Sequence, residues 1–492
     1  MGVFMAANSA GCNLECGYCY QNSEREERDS WVKQEYDLEE MKETVRGFRE
    51  RRPNEVPGLH GGETLLIPKD DLRELFEFIS NLYSDKIPNQ GALSVQTNGT
   101  LMDEEHIEIF KEYDVNVGIS CDGPWPLNKY RIPKGANHKA EQMTEQTMNA
   151  IDMVAEADLG LGIIVVLTQA NAGDDEKLEQ LLEWQTELTN KGVYGHWNPG
   201  IPYDGQEEKS LSPERLEEVL LRGWEWVKEE QVQQWNPMRD YVDNLLGVGL
   251  NNCINSKCDP YNAGAAKLVK GNGETTGCGK TWDSIGDGPA FLQGPSNDTE
   301  YEQNLEHYDA LKKMPGPYTE GDAPDMGGCR GCEYWNVCQG GCPGAGGQDT
   351  FDDGEYRVRT LWCQAVHSLY EQIERDIRAL MPNVTLITDY PWNYELADLA
   401  DRRELDIAPF APMDPSEGDG RSSTFIGSAT HNRGDIWERI PDEAQPDMTH
   451  EEQVKMWEKR VGEEHVKHNP KTGEIHADEA YIESESNWEE EE

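Results

Sequence analysis

Apolar and polar positions in the first two hundred residues follow two periods that take turns. EVPGLHGGETLLIP reads as a short strand ending in His60-Gly61-Gly62-Glu63. Over residues 71–84, Leu72, Leu75, Phe76, Phe78 and Ile79 recur near a 3.6 period, which predicts an amphipathic helix. Residues 92–100 predict a strand running into the polar tip Gln96-Thr97-Asn98, and residues 102–113 a helix with acids at its start. A strand over 115–124 reaches Ser120, Cys121 and Asp122, followed by a helix over 140–158, a buried strand over 161–168 and a helix over 174–188. Residues 191–199 close the series. Strands alternating with helices predict an α/β fold with a parallel sheet. The polar residues sit where strands end, which is the active face of a barrel-like sheet.

Further along, residues 201–250 read as a bridge with a helix from about 212 to 230, whose Trp224 and Trp226 are expected to pack in the core or line a cleft. A helix over 363–380 is expected to pack on the barrel. Beyond Pro382 the periodicity fades, residues 401–448 are rich in Pro, Asp, Gly and Ser, and residues 449–463 predict one acidic helix. The terminal ESESNWEEEE is expected to be disordered.

Composition narrows the class of protein. A chain of 492 residues is too long for one typical core, so two or more domains are expected. Its net charge of -51 argues against a phosphate backbone or an anionic lipid surface as partner. The acid is spread along the whole chain, as on a surface kept folded in strong salt, and a halophilic source is expected. No apolar run is long enough for a membrane helix. The first residues, MGVFMAANSAGC, lack the basic and apolar regions of a signal peptide, so a cytoplasmic location is expected. In a reducing compartment the 12 cysteines should be metal ligands or catalytic thiols.

The cysteines are grouped. Cys12, Cys16 and Cys19 share one loop, GCNLECGYCYQ. Cys121, flanked by an apolar strand, reads as a small buried hydrophobe. Cys253, Cys258 and Cys278 precede Cys329, Cys332, Cys338, Cys342 and Cys363. Three closely spaced thiolates can hold three irons of a cubane and leave the fourth without a side-chain ligand, whereas an electron-transfer cluster takes four cysteines. The alternative at the front is zinc completed by His60 or a distant residue. The eight later cysteines suffice for two fully ligated cubanes or for two structural zinc sites. Residues 327–347 carry eight glycines in 21 positions, as loops that aim amides at sulfur require. Trp335 and Trp362 are expected to shield such a cluster from water.

CNLECGYCY resembles the CxxxCxxC motif of the radical S-adenosylmethionine (radical SAM) enzymes. The resemblance implies a partial (β/α)6 TIM-like barrel in which Cys12, Cys16 and Cys19 bind a 4Fe–4S cluster. Its free iron would chelate S-adenosyl-L-methionine and, on reduction, yield a 5'-deoxyadenosyl radical. It also implies that Tyr20 packs near the adenine, and that Gly61, Gly62 and Glu63 of the GGE motif receive the cofactor's amino group. Gln96, Thr97 and Asn98 are candidate contacts. Ser120 and Asp122 match an SxDGP segment, and Arg131 is expected to pair with the cofactor's carboxylate through its planar fork. The later cysteines resemble the SPASM domain. That pattern implies auxiliary cluster I on Cys253, Cys258, Cys278 and Cys342, and auxiliary cluster II on Cys329, Cys332, Cys338 and Cys363, hence three 4Fe–4S clusters in all. The domains expected are a barrel over 1–205, a bridge over 206–250, a SPASM domain over 251–382 and an acidic, partly disordered extension over 383–492.

The resemblance implies an oxidoreductase acting on a peptide or protein side chain, supplied with electrons by a ferredoxin- or flavodoxin-type donor. The front half looks most like the anaerobic sulfatase-maturing branch, but Cys278 is followed by Gly279 where that branch places an Asp, and Asp283 is off register. A maturase of unspecified chemistry is therefore expected. Two other classes stay open: a radical enzyme acting on a tetrapyrrole or cofactor precursor, and a non-catalytic multi-cluster electron carrier. A zinc-stabilised scaffold is a third, which metal analysis would separate.

Overall fold

The structure, a computed structural model, describes residues 3–6, 11–19, 22, 37–51, 56–84, 93–133, 135–201, 206–232, 235–246, 267–270, 275–276, 329, 332–338, 340–341, 360–389, 466–468 and 475–477. Packing divides the chain into two compact units, Met1–Glu374 with Thr385–Thr430, and Arg375–Val384 with His431–Glu492.

The first unit is built on one sheet. Its strands are β1 (Val3–Ala6), β2 (Gly58–His60), β3 (Leu93–Thr97), β4 (Val115–Ser120), β5 (Leu161–Leu167), β6 (Tyr194–Pro199), β7 (Trp235–Asn236), β8 (Lys267–Lys270) and β9 (Thr275–Thr276). The order across the sheet is β7-β6-β5-β4-β3-β2-β1-β8-β9. Every pair from β7 through β8 is parallel, and β9 closes on β8 antiparallel. Sequential parallel order is what repeated right-handed strand–helix–strand crossovers produce. The architecture is the α/β one expected, with a parallel sheet consistent with a partial TIM-like barrel.

The helices of this unit are α1 (Leu38–Arg51), α2 (Lys69–Leu82), α3 (Glu104–Glu112), α4 (Ala140–Glu156), α5 (Asp175–Asn190), α6 (Pro213–Glu230), α7 (Met238–Leu246), α8 (Trp335–Cys338) and α9 (Cys363–Leu380), whose last residues belong to the second unit. Local chemistry sets their starts. Asp103, Asp174 and Ser212 cap α3, α5 and α6 by accepting the backbone N–H of His106, Lys177 and Arg215. Such caps satisfy donors that a helix leaves open. In α2 the buried face is Leu72, Leu75, Phe76 and Ile79, as the period predicts, and Phe76 meets Phe110 of α3 edge-on at 6.2 Å. Phe78 of the predicted face instead takes the Arg46 guanidinium over its ring at 4.8 Å. β3 is buried at all five positions, as expected for a parallel strand covered on both faces.

The predicted strand over 115–124 ends as a strand at Ser120, and Cys121, Asp122 and Gly123 continue as loop. Cys121 is fully buried, with its thiol pushed up to about 12 by burial. Helix α1 was not predicted, because only Met41 and Val45 form a fully buried stripe in a charged segment. Lys42 compensates by bridging Glu39 at 2.7 Å and Glu74 of α2 at 2.5 Å. Strand β7 and helix α7 were also not predicted.

The bridge packs into the core through its tryptophans. Trp224 and Trp226 of α6 are 3% and 2% exposed, which places both in the core. Trp226 stacks on Trp197 of β6 at 6.1 Å and meets Trp235 of β7 edge-on at 6.1 Å. Each indole N–H finds an acceptor on α5, namely Gln185 for Trp197, Thr186 for Trp226 and Thr189 for Trp235. Among the described residues no helix is long and apolar enough to cross a membrane. In the second unit β10 (Val466–His468) pairs antiparallel with β11 (Ile475–Ala477). The predicted helix over 449–463 and, apart from β10 and β11, the rest of the extension beyond residue 389 lie outside the described residues.

Trp226→Ala removes the centre of this indole cluster and is expected to lower unfolding stability by ~3–5 kcal/mol in anaerobic denaturant titrations. A loss below ~1 kcal/mol would mean that the cluster collapses around the gap.

Candidate active site

The loop after β1 carries the first three cysteines and is stitched to the C-terminal edge of the sheet. Glu63 N–H donates to Gly11 O (2.7 Å), Glu15 N–H to Ile132 O (2.6 Å) and Gly17 N–H to Tyr130 O (2.9 Å). The segments after β2 and after β4 therefore hold it by backbone bonds. Cys19 N–H donates to Cys16 O at 3.0 Å, which folds the second and third cysteines into one turn. Cys12 is buried, and its Sγ lies 3.4 Å from Leu14 N and 3.8 Å from Asn98 Nδ2. Burial pushes the Cys16 thiol strongly up, Arg131 pulls it down, and the charges of Cys19 and Cys12 push it up again. The three sulfurs are thus within electrostatic reach of one another. Tyr20 lies outside the described residues.

At the end of β2, Gly61 and Gly62 take φ of 87° and 56°, a left-handed pair that any side chain would strain. Glu63 is buried, and its carboxylate is engaged by the protein itself. It accepts from Thr97 Oγ1 at 2.5 Å, Asn98 N at 2.7 Å and Leu65 N at 2.9 Å. Burial pushes this carboxyl up, opposed by those three donors. Glu63 therefore fixes the end of β3 rather than presenting a free carboxylate. Asn98 passes the constraint on, donating to Asn13 Oδ1 (2.8 Å), while Asn13 donates to Thr100 Oγ1 (2.8 Å). Ser120 accepts from Gln96 Nε2 at 2.8 Å.

Asp122 ties the next strand end in the same way. Its Oδ1 accepts from Arg131 NH2 and from Val166 N, both at 2.9 Å, and its Oδ2 from the Tyr18 hydroxyl. Asn128 Oδ1 receives the Asp122 N–H at 2.9 Å, and Asn171 Nδ2 donates to Asp122 O at 3.1 Å. Arg131 also lies over the Tyr18 ring, 5.4 Å from its centre. Arg131, a candidate for a cofactor carboxylate, is paired through one nitrogen with Asp122, since a buried guanidinium needs a buried counter-charge. Two buried polar atoms of this strand-end cluster, Gln96 Oε1 and Arg131 Nε, have no hydrogen-bond partner. A cluster ligated by three soft thiolates beside spare polar atoms fits the donor set of the front loop.

The second constellation is a cavity lined by Cys329, Cys332, Cys338 and Cys363 among Tyr334, Trp335, Gly340, Thr360, Val366, His367 and Tyr370. Burial pushes the Cys338 thiol far up, with the charges of Cys363 and Cys332 adding to it, while the amides of Gly340 and Gly341 oppose. Those two glycines have φ of 85° and 76°, which turns their N–H groups toward the sulfur. Four soft donors in a dry pocket match a four-cysteine cluster and also a zinc site. Trp335 and Trp362 are buried beside it. Every cysteine among the described residues is a free thiol. Cys253, Cys258, Cys278 and Cys342, the expected ligands of the other auxiliary cluster, lie outside the described residues, as do Gly279 and Asp283.

A family profile described as the Radical SAM superfamily matches residues 9–184, from just before Cys12 into α5. Over that span the chain is similar to the radical SAM superfamily. The similarity of fold continues past that span. A solved structure titled native anSMEcpe with bound AdoMet and Kp18Cys peptide superposes with a TM-score of 0.59, at 18% identity, over 78% of this chain and 99% of that one. By sequence the enzyme is 27% identical over 273 residues to a cysteine-type anaerobic sulfatase-maturating enzyme of Clostridium novyi, covering 52% of this chain and 69% of the relative. A relative of the same description from Clostridium perfringens is 23% identical over 387 residues, covering 75% of this chain and 95% of its own length.

Sequence reasoning chose Tyr20 as the aromatic of this cysteine loop and passed over Tyr18, which lies between the second and third cysteines and is bonded to Asp122. The signal was its place inside the motif. Asn13 was missed likewise, although it also lies inside the cysteine loop.

Asp122→Asn leaves Arg131 buried without its counter-charge and is expected to cost ~3–5 kcal/mol in denaturant unfolding. An unchanged midpoint would mean that the pair is solvated. Burial holds His60 at about 4, below its ordinary 6.5, so the unfolded chain takes up a proton that the folded one refuses. This contribution is fully present above pH 6.5 and is lost as the pH falls toward 4, at up to ~1.4 kcal/mol per unit. His60→Gln is expected to flatten the fall in stability over that window, and parallel acid slopes would contradict it.

Proposed function

We propose that this chain is a radical SAM enzyme, a maturase that oxidises a side chain of a peptide or protein. The observation that carries the proposal is the gathering of Cys12, Cys16 and Cys19 on one loop at the C-terminal edge of the parallel sheet. Support for a peptide comes from the relatives, named as sulfatase-maturating enzymes, and from the structural neighbour with its bound peptide. Sulfatase maturation itself is not proposed, because Gly279 stands where an Asp would be expected. A 4Fe–4S cluster on these thiols supplies, when bound, the electron that cleaves S-adenosyl-L-methionine to a 5'-deoxyadenosyl radical.

The chain's own residues then have distinct tasks. Cys12, Cys16 and Cys19 hold the metal. Leu14 N and Asn98 Nδ2 stand beside the Cys12 sulfur, where donors raise a cluster's potential. Gly61 and Gly62 keep backbone open to the cofactor's amino group, and Gln96, Ser120 and Arg131 offer polar atoms to the rest of it. Glu63 and Asp122 act through their neighbours, by holding the strand ends and the cysteine loop. Tyr20 is assigned to the adenine side. Holding the reacting carbon beside this edge and keeping water out is what converts the radical's reactivity into selectivity.

We further propose three 4Fe–4S clusters, the auxiliary pair taking Cys253, Cys258, Cys278 and Cys342, and Cys329, Cys332, Cys338 and Cys363. They would serve as acceptors for the electron left on the substrate, with a ferredoxin- or flavodoxin-type donor outside. The proposed domains are 1–205, 206–250, 251–382 and 383–492. The acidic composition points to a salt-rich cell, and the grouped thiols to a reducing, cytoplasmic compartment.

The test is anaerobic incubation of reduced enzyme with S-adenosyl-L-methionine and short peptides encoded beside its gene, read by mass spectrometry. The expected result is 5'-deoxyadenosine and a peptide lighter by a pair of hydrogens, both abolished in Cys16→Ala. Cofactor cleavage that never alters a peptide, but alters a tetrapyrrole or cofactor precursor, would contradict the proposal.

A further inference from the structure

Helix α9 contributes Cys363, Val366, His367 and Tyr370 to the four-cysteine cavity, with Cys363 and His367 one turn apart on one face. A ring nitrogen of His367, the Cys332 sulfur and a Glu333 carboxylate oxygen all lie within 4.8 Å of one another. The imidazole is held from two sides. Its Nε2 lies 3.4 Å from Glu333 Oε1, and its ring meets Tyr334 edge-on at 4.9 Å and 86°. Tyr334 in turn stacks on Tyr370 at 5.5 Å, and the Tyr370 hydroxyl donates to Val337 O at 3.1 Å. The ring therefore cannot swing away from the Cys332 sulfur without losing its contacts with Glu333 and with the fixed Tyr334 ring.

The rest of the lining is aromatic, aliphatic or thiol, apart from Thr360. In such surroundings a fixed N–H dipole is poorly screened and acts strongly on nearby charge. Cluster potentials respond to hydrogen bonds and dipoles aimed at the sulfurs, and to burial. Reduction adds negative charge to a cluster, so the Glu333 carboxylate beside Cys332 disfavours the reduced form, and the His367 dipole facing that carboxylate offsets it.

We propose that His367, held by Glu333 and Tyr334, is a positioning residue of the auxiliary centre that raises the reduction potential of the cluster bound by Cys329, Cys332, Cys338 and Cys363. This rests on the reading of that cavity as an iron–sulfur site. His367 acts here as a fixed dipole beside Cys332, not as a ligand and not through a change of protonation. A raised potential suits a centre that takes an electron from an oxidised substrate, and it would separate this cluster from a low-potential front cluster.

The experiment is an anaerobic redox titration of the full-length, cluster-loaded enzyme, followed by electron paramagnetic resonance, with iron and zinc counted on each sample. His367→Phe keeps a ring against Tyr334 and removes the dipole, while His367→Gln restores an N–H donor. The expected result is an auxiliary signal about tenfold harder to reduce in the Phe variant, ~59 mV lower for one electron. At least half of that shift should be recovered in the Gln variant, with iron content and the front signal unchanged. An unchanged auxiliary potential at unchanged iron content would overturn the inference and leave the cluster reading standing. Iron lost from the Phe variant alone would make His367 a ligand and also overturn it. Zinc in place of iron in the wild-type cavity would overturn the cluster reading and the inference together.

Discussion

One buried carboxylate holds the active edge together. Asp122 leaves the end of β4 and accepts from three donors that reach it from different regions of the fold: the Tyr18 hydroxyl, Arg131 NH2 and Val166 N. Tyr18 belongs to the cysteine loop, Arg131 to the loop after β4 and Val166 to β5. A buried charge pair of this kind adds little net stability, because desolvation consumes most of the attraction. Its geometry is demanding, however, since each partner is costly to bury alone. The pair thus specifies where the cysteine loop sits relative to the strand ends, and the chemistry of the front site requires that placement. Glu63 repeats the device between β2 and β3, with Thr97, Asn98 and Leu65 as donors.

The two cysteine centres are built by different means. The front loop is fixed by side chains and backbone bonds from three strand ends and keeps polar atoms nearby. The four-cysteine cavity is fixed by aromatic stacking, by two left-handed glycines and by helix α9. A centre that must receive a polar cofactor and a substrate needs spare donors and acceptors. A centre that only passes electrons is better dry and enclosed, where fixed dipoles set its potential. The contrast between Gln96, Ser120 and Arg131 at the first and Tyr334, Trp335 and Tyr370 at the second follows that division.

Much of this was legible in the sequence, for definite reasons. Strands buried on both faces and helices with one apolar stripe leave opposite periodicities, so β3 to β6 and α2 to α6 could be read within a few residues of their ends. Helix α9 was read to the residue, because its stripe and length are unambiguous. Helix α1 was not, because its stability comes from the Lys42 bridges to Glu39 and Glu74, contacts that leave little periodic trace. The front cysteines were legible as a group by spacing, the set of four with Cys363 only through the SPASM resemblance, and the Gly340–Gly341 turn by composition. Residue roles were harder. The bonds of Glu63 to Thr97 and of Asp122 to Arg131 were not read, since pairing across loops leaves no linear pattern. The bond from Tyr18 to Asp122 escaped the linear pattern for the same reason.

The central claim is that the front loop leaves one iron of its cluster uncapped by protein, so that a sulfonium cofactor can dock there. The direct measurement is the electron paramagnetic resonance spectrum of the reduced, anaerobically prepared enzyme before and after addition of S-adenosyl-L-methionine. Variants with Cys329, Cys332, Cys338 and Cys363 replaced by Ala would simplify the signal from the auxiliary sites. The account predicts that the front-cluster signal changes on addition of the cofactor and that the change vanishes in Cys12→Ala. A front-cluster spectrum indifferent to the cofactor, or one showing a fourth protein ligand, would contradict it.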